Sequence, residues 1–315
     1  MRPAFSVIFL TTLCGTAQGL LLTLVAIEAV ARATSTDIPS AFYIVGAALT
    51  VTLGTLGLFA SFFHLGHPER AWRAIAMWRT SWLSRECIAL PVFLSLAFGY
   101  GIAHWVGFGG TLAIGVLGAA ASVALFVCTA MIYACLRFLQ EWASPLTLVN
   151  FVLLGCASGC TLATACAAWL APSLVGLVAP WACVLTLAGC ATRVASLKRN
   201  ARLVPKSTVQ SATGIRDAKV EQKSRGFTAS AFNTREFFHG QSSGTVRMVK
   251  VGFLVAAFAV PFVLTGAGAL AQMSTAVAVV LGAAFVIQYA GLVAERWFFF
   301  ADARHPQNLY YQRAS

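Results

Sequence analysis

Charge is scarce in this sequence. Only 10% of its 315 residues are Asp, Glu, Lys or Arg, against 59% hydrophobic, whereas a soluble domain averages roughly 25% charged. A water-soluble chain of this length cannot cover its surface with so few charges. Cysteine is plentiful at nine residues, but CxxC pairs and the tight cysteine runs that hold iron–sulfur clusters are missing. Cys14, Cys128, Cys135, Cys156, Cys160, Cys166, Cys183 and Cys190 lie in or at the edges of apolar blocks, and Cys87 opens another. That placement argues against a disulfide framework or a metal centre. Cys156 and Cys160, one helical turn apart, read as small packing residues. Histidine is scarce too, with only His64, His67, His104, His239 and His305. A bis-histidine haem needs facing pairs inside a bundle, and this distribution supplies none.

The hydrophobic residues come in long blocks. Eight stretches, approximately 5–30, 39–64, 86–107, 110–136, 146–170, 173–197, 248–270 and 275–300, are each long enough to cross a hydrocarbon core, which takes about 20 helical residues. Narrow gaps near Gly109 and Gly110, Ala171 and Pro172, and Gln272 to Ser274 read as tight helical hairpins. The first stretch exceeds the roughly 7–15 apolar residues of a cleavable signal, so it is expected to be a retained helix. Small-residue runs such as Gly115–Ala121 and Gly266–Ala271 suit close helix packing in lipid. A membrane barrel would show short alternating segments instead. The expected fold is all-α: a polytopic integral membrane bundle of about eight transmembrane helices forming one domain.

The formal net charge of +12 points to membrane topology and not to nucleic acid, because the basic residues sit between the apolar blocks. With eight spans, the termini share a side with the second, fourth and sixth connections. Of the 22 Lys and Arg residues, Arg32 alone falls on the opposite side. The positive-inside rule makes the loaded side cytoplasmic, which predicts a multi-pass protein of a bacterial inner membrane with both termini in the cytoplasm. Trp72, Trp78, Trp82, Trp142 and Trp297 fall near the inner interface, and Trp105 and Trp169 near the outer one. The basic cytoplasmic loop 198–247 carries ten Lys or Arg against Asp217, Glu221 and Glu236. Such a loop can lie on anionic lipid headgroups or dock an acidic partner.

One constellation carries chemistry. Ser61-Phe-Phe-His-Leu-Gly-His-Pro-Glu-Arg-Ala71 ends the second span, and Ser81-Trp-Leu-Ser-Arg-Glu86 begins the third. Gly66 and Pro68 terminate the second helix, which puts His64 in its last turn. Ser84 is the expected N-cap of the third helix, with Glu86 in the first turn. An imidazole and a carboxylate then meet at one depth, ringed by Arg70, Arg73, Arg79 and Arg85. Helix dipoles alone favour both placements. Together, however, the two groups suit a quinone headgroup, which needs hydrogen bonds to its carbonyls and a route for protons.

His64-Leu65, Pro68, Arg70 and Ala71, followed by Ser81, Leu83, Ser84 and Glu86, resemble the anchor subunits of dimethyl sulfoxide reductase, the DmsC family. The resemblance implies eight helices without haem or cluster. It also implies two partners held against the membrane, a ferredoxin-like iron–sulfur subunit and a molybdopterin catalytic subunit, with electrons exchanged with ubiquinone or menaquinone. The chain itself would not act on the partner's substrate. The family's quinol-binding histidine and glutamate match His64 and Glu86; Arg70, Ser81, Trp82 and Arg85 are added as candidates by nearness, and the role of His67 stays open. With the motif face cytoplasmic, the arrangement is similar to cytoplasm-facing sulfite dehydrogenases, whose third subunit belongs to this family. The alternatives are the anchor of a dimethyl sulfoxide-type reductase that oxidises quinol and, from another class, a secondary transporter built around a site near the midplane.

Overall fold

The computed structural model describes residues 3–204, 206, 208–217 and 242–304. Within them every regular element is helical. In chain order these are α1 (Phe5–Thr34), α2 (Ser40–Ser61), α3 (Trp82–Trp105), α4 (Thr111–Ala134), α5 (Pro145–Leu170), α6 (Val175–Asn200), the short α7 (Val209–Thr213), α8 (Ser243–Leu254), α9 (Val260–Leu270) and α10 (Thr275–Ala301). Eight helical stretches are long and apolar enough to cross a membrane; α8 and α9 form one of them, joined by a π-helical turn at Val255–Ala259. Pro261 lies two residues past that turn, and the wider turn suits a residue that has no amide hydrogen to give the helix.

The helix ends follow local chemistry. Ser144, Ser242 and Ser274 cap α5, α8 and α10 by accepting a hydrogen bond from a backbone N–H of the first turn. Gly107 makes the α3–α4 turn at φ 71°, a left-handed conformation that glycine adopts without steric cost. Two boundaries differ from the sequence reading. The sixth span runs on to Asn200, so Lys198 and Arg199 belong to helix, and the seventh begins at Ser243 and carries Arg247 and Lys250. Polar flanks can extend a helix into the headgroup region, which hydropathy alone does not register. Residues 218–241 of the basic loop lie outside the described residues, as do Arg2, Arg313, His239 and His305.

Helices α1 and α5 form the centre of the bundle. Two-thirds of each most apolar stretch is buried (67%), against 28–39% for the other six. Their crossing is built on glycine: a Cβ at Gly19 would lie 2.0 Å from the Gly155 carbonyl oxygen, and one at Gly159 would lie 2.1 Å from the backbone of Gly19 and Leu20. The two small-xxx-small pairs, Gly15/Gly19 and Gly155/Gly159, therefore bring backbone onto backbone, which gives dispersion contact where lipid offers no hydrophobic driving force.

Polar side chains inside the bundle link helices. Gln18 Nε2 donates to the Ser122 carbonyl at 3.2 Å, Gln288 Nε2 to Thr186 Oγ1 at 3.1 Å, and Tyr289 pairs with Thr12 at 3.2 Å. These ties account for the deep polar residues that a transporter site would otherwise use. Trp142 departs from the expected interfacial belt. It is buried, stacked on Phe299 at 5.3 Å, and donates its indole N–H to the Phe299 carbonyl at 3.1 Å. A buried indole needs such a partner, and it holds the α4–α5 connection against α10.

Candidate functional site

The α2–α3 connection lies on the surface of the bundle end that also carries the α4–α5 connection. After Ser61 the chain tightens into a 3₁₀ turn, Phe62–His64, and a longer 3₁₀ stretch follows at Pro68–Met77. Large apolar side chains stay exposed along it, among them Phe63, Trp72, Met77 and Trp78. His64, at the end of the first turn, is exposed as well. Phe59 and Phe63 meet edge to face at 5.3 Å on the same helix end. Arg70 is paired loosely with Glu69 at 3.7 Å, and His67 Nδ1 lies 3.0 Å from the same carboxylate.

Two of the expected ligands hold this segment in place. Arg85 Nε donates to the Trp78 carbonyl at 3.0 Å and its Nη2 donates to the Arg79 carbonyl at 2.8 Å, while its guanidinium lies 4.2 Å above the Trp82 ring. The arginine thus satisfies carbonyls that the ending 3₁₀ stretch leaves open. Ser81, and not Ser84, caps α3: its hydroxyl accepts the Ser84 N–H at 3.3 Å. The helix starts earlier than expected because Ser81 is extended (φ −106°, ψ 125°), the backbone state of an N-cap. Ser84 is buried inside the helix.

That shift moves Glu86 to the fifth position of α3, past the first turn, and into the bundle. Its carboxylate is buried and accepts a hydrogen bond from the Thr129 hydroxyl of α4, with Cys14 of α1 close by. His64 and Glu86 come from adjoining helix ends, yet no hydrogen bond or ion pair joins them among the described residues. The structure therefore presents a surface imidazole and a separately buried carboxylate, in place of the expected pair side by side. A hydrogen-bonded buried carboxylate can take up and release a proton out of contact with bulk water.

Sequence reasoning passed over two charged clusters. On the same end of the bundle, Arg193 of α6 meets Glu295 of α10 at 2.6 Å, and Arg296 lies 3.7 Å over the Phe151 ring; all three charged groups are buried. At the opposite end, Glu28 of α1 meets both Arg32 of the same helix and His104 of α3. The i,i+4 spacing of Glu28 and Arg32 was the available signal; the partners on other helices had none.

The chain matches the family model described as DMSO reductase anchor subunit (DmsC) over residues 1–300. It is 53% identical over 327 aligned positions to a sulfite dehydrogenase subunit of Allochromatium vinosum, with 99% of each chain covered. With eight apolar helices and a match running almost end to end, the chain belongs to the DmsC family of membrane anchor subunits.

Proposed function

We propose that this chain is the quinone-reactive anchor of a molybdopterin and iron–sulfur oxidoreductase. It binds ubiquinone or menaquinone where α2 and α3 end, and holds its two partner subunits on the cytoplasmic face of a bacterial inner membrane. The observation that carries the reading is that adjoining helix ends bring an exposed imidazole, His64, and a buried carboxylate, Glu86, to an end of the bundle whose surface is rich in arginine and tryptophan. Sulfite is the favoured reductant of the partner, given the name of the Allochromatium relative.

The residues fit such a ligand. Among the described residues no protein group hydrogen-bonds the His64 ring, so it is free to bond a carbonyl, and Phe59 and Phe63 offer an apolar face for an isoprenoid tail. A bound quinone supplies two-electron, two-proton carrier chemistry. His64 orients the headgroup and donates a hydrogen bond, Glu86 exchanges protons with Thr129 holding its carboxylate, and Arg85 fixes the segment that frames the site. Arg70, Arg73 and Arg79 give this surface a positive field that suits an acidic iron–sulfur partner.

The test is purification of the tagged chain from its host in mild detergent, followed by turnover assays on what accompanies it. Co-purified iron–sulfur and molybdopterin subunits that reduce quinone with sulfite support the reading. In that complex His64→Ala should abolish quinone reduction and leave reduction of an artificial acceptor intact. Unchanged quinone-linked turnover would remove His64 from the site. Turnover with a sulfoxide and quinol, and none with sulfite, would make this the anchor of a reductase. Recovery of the chain alone, together with substrate uptake into liposomes, would make it a transporter.

A further inference from the structure

At the end of the bundle away from His64, a cleft of about 520 Å³ opens between the α1–α2 connection and the α3–α4 turn, lined by residues that include Glu28, Arg32, Asp37, Tyr43, His104 and Thr111. Its size is in the range of small-ligand sites, and its walls set charged and hydroxyl side chains among apolar ones such as Ile38 and Phe108. The Glu28 carboxylate is only 4% exposed at the bottom, and its two oxygens have different tasks. Oε1 accepts from Arg32 Nε at 3.0 Å, from Arg32 Nη2 at 2.8 Å and from the Thr111 hydroxyl, which ties α1 to α4. Arg32 also donates to Thr111 Oγ1 at 2.7 Å and to the Gly109 carbonyl at 3.3 Å. Oε2 takes no part in that tie and lies 3.4 Å from His104 Nε2.

Two aromatic rings and the carboxylate hold the imidazole. Tyr43 of α2 stacks on its face at 4.3 Å and 13°, and Tyr100 of α3 meets it edge-on at 4.6 Å. Its side chain is 11% exposed, and it lines the cleft. An imidazole with one nitrogen on a carboxylate is fixed in orientation and leaves its second nitrogen for proton exchange.

We infer that Glu28 and His104 form a proton-binding site that exchanges with the aqueous phase on the face opposite His64. The groups that face it are Glu28 and Arg32 from α1, Asp37 from the α1–α2 connection, Tyr43 from α2 and Tyr100 from α3; α4 contributes the Thr111 hydroxyl, and the α3–α4 turn brings no titratable side chain. Arg32 and Glu28 neutralise each other, so Asp37 leaves the cleft net negative when His104 is neutral, a sign that gathers protons. Proton uptake places a proton on His104 Nδ1 while Nε2–H stays on Glu28, and release reverses it. A purely structural lock would need only Arg32, Thr111 and Oε1. This site does not depend on the quinone reading, and its test does not use turnover.

The test is nuclear magnetic resonance of imidazole-labelled protein in proteoliposomes of one orientation, with the two compartments buffered independently. Protease cleavage in the 62–80 connection reports which compartment faces His64. His104→Gln assigns the resonance. It should titrate between about pH 4 and 9 and follow the compartment opposite the cleavage site. Glu28→Gln, which keeps the shape and removes the anion, should weaken proton binding about tenfold or more. If that variant does not fold, the titration of the unmodified protein decides. A His104 resonance that stays constant across this range, or that follows the compartment facing His64, overturns the inference.

Discussion

The Glu86 carboxylate on α3 accepts its hydrogen bond from Thr129 on α4 inside the bundle, while His64 stays on the surface at the adjoining helix end. Removing the donor from a buried carboxylate leaves it short of a partner, and hydrogen bonds to charged groups contribute about 1.5–3 kcal/mol. Thr129→Val, which keeps the shape, should lower quinone-linked turnover about tenfold, with Thr129→Ser close to the parent. Turnover with an artificial acceptor should not change in either variant. Equal loss with both acceptors would make Thr129 a packing residue only.

Much of this arrangement was legible in the sequence, and the unread part has a physical cause. Hydropathy located the eight spans because lipid demands about 20 apolar residues in each. It could not show that α1 and α5 form the centre, since a lipid-facing helix and a buried one are equally apolar. The helix that carries Glu86 was placed with the wrong cap: Ser81 and Ser84 are equally good caps on paper, and the backbone at Ser81 decides between them. Three residues of shift carried Glu86 from the interface to the interior. The Glu28–His104 contact joins residues 76 positions apart, a separation to which no local pattern extends.

The α1–α5 crossing should be intolerant of a single methyl. A Cβ at Gly159 would sit 2.1 Å from the backbone of Gly19 and Leu20, and backbone cannot swing aside as a side chain can. Gly159→Ala should cost about 3 kcal/mol or more, read as a fall in the midpoint of thermal unfolding in detergent. Gly282→Ala on α10, with open space around the added carbon, should be neutral or stabilising by about 0.5–1 kcal/mol.

Arg85 should matter through its shape. Its fork reaches two carbonyls, of Trp78 and Arg79, and a lysine keeps the charge but not the two-pronged geometry. Arg85→Lys should speed hydrogen exchange and proteolysis across residues 68–80 while the spans stay protected. Arg70→Ala, whose side chain pairs loosely with Glu69 across 3.7 Å, should leave exchange in that segment unchanged. Equal exchange in the parent and in Arg85→Lys would show that the segment is held by other contacts.

Glu141, in the α4–α5 connection, gives a pH-dependent prediction. Burial pushes its carboxyl above the ordinary value of 4.5, with a smaller push from Asp302, against backbone N–H bonds and Arg304 that act the other way. A carboxyl raised in the folded state is most at ease protonated. The strain of ionising it is therefore absent below its ordinary value and sets in as pH rises through the folded one. Glu141→Gln stays neutral throughout. The midpoint of thermal unfolding of this variant, measured against the parent, should gain as pH rises from the ordinary value through the raised one and then level off. A constant difference across that range would show that the carboxyl ionises at its ordinary value.

The buried triad of Arg193, Glu295 and Arg296 sets two cations against one anion, with Arg193 and Glu295 at 2.6 Å and Arg296 at 3.9 Å from the same carboxylate. Loss of the anion takes the shared carboxylate from two buried guanidinium groups and leaves their mutual repulsion. Loss of Arg193 instead leaves Glu295 with Arg296, a neutral pair. The two single changes should therefore be unequal. Glu295→Gln should cost about 3–5 kcal/mol, whereas Arg193→Met, matched in bulk and able to pack on Phe253, should cost clearly less. In the double variant the cost of removing Glu295 remains, but repulsion between the two arginines is gone, so its loss should be smaller than the sum of the singles. Thermal unfolding of the three variants measures this directly. Equal costs for the two singles would mean that Arg296 does not share the carboxylate and that the triad is a simple pair.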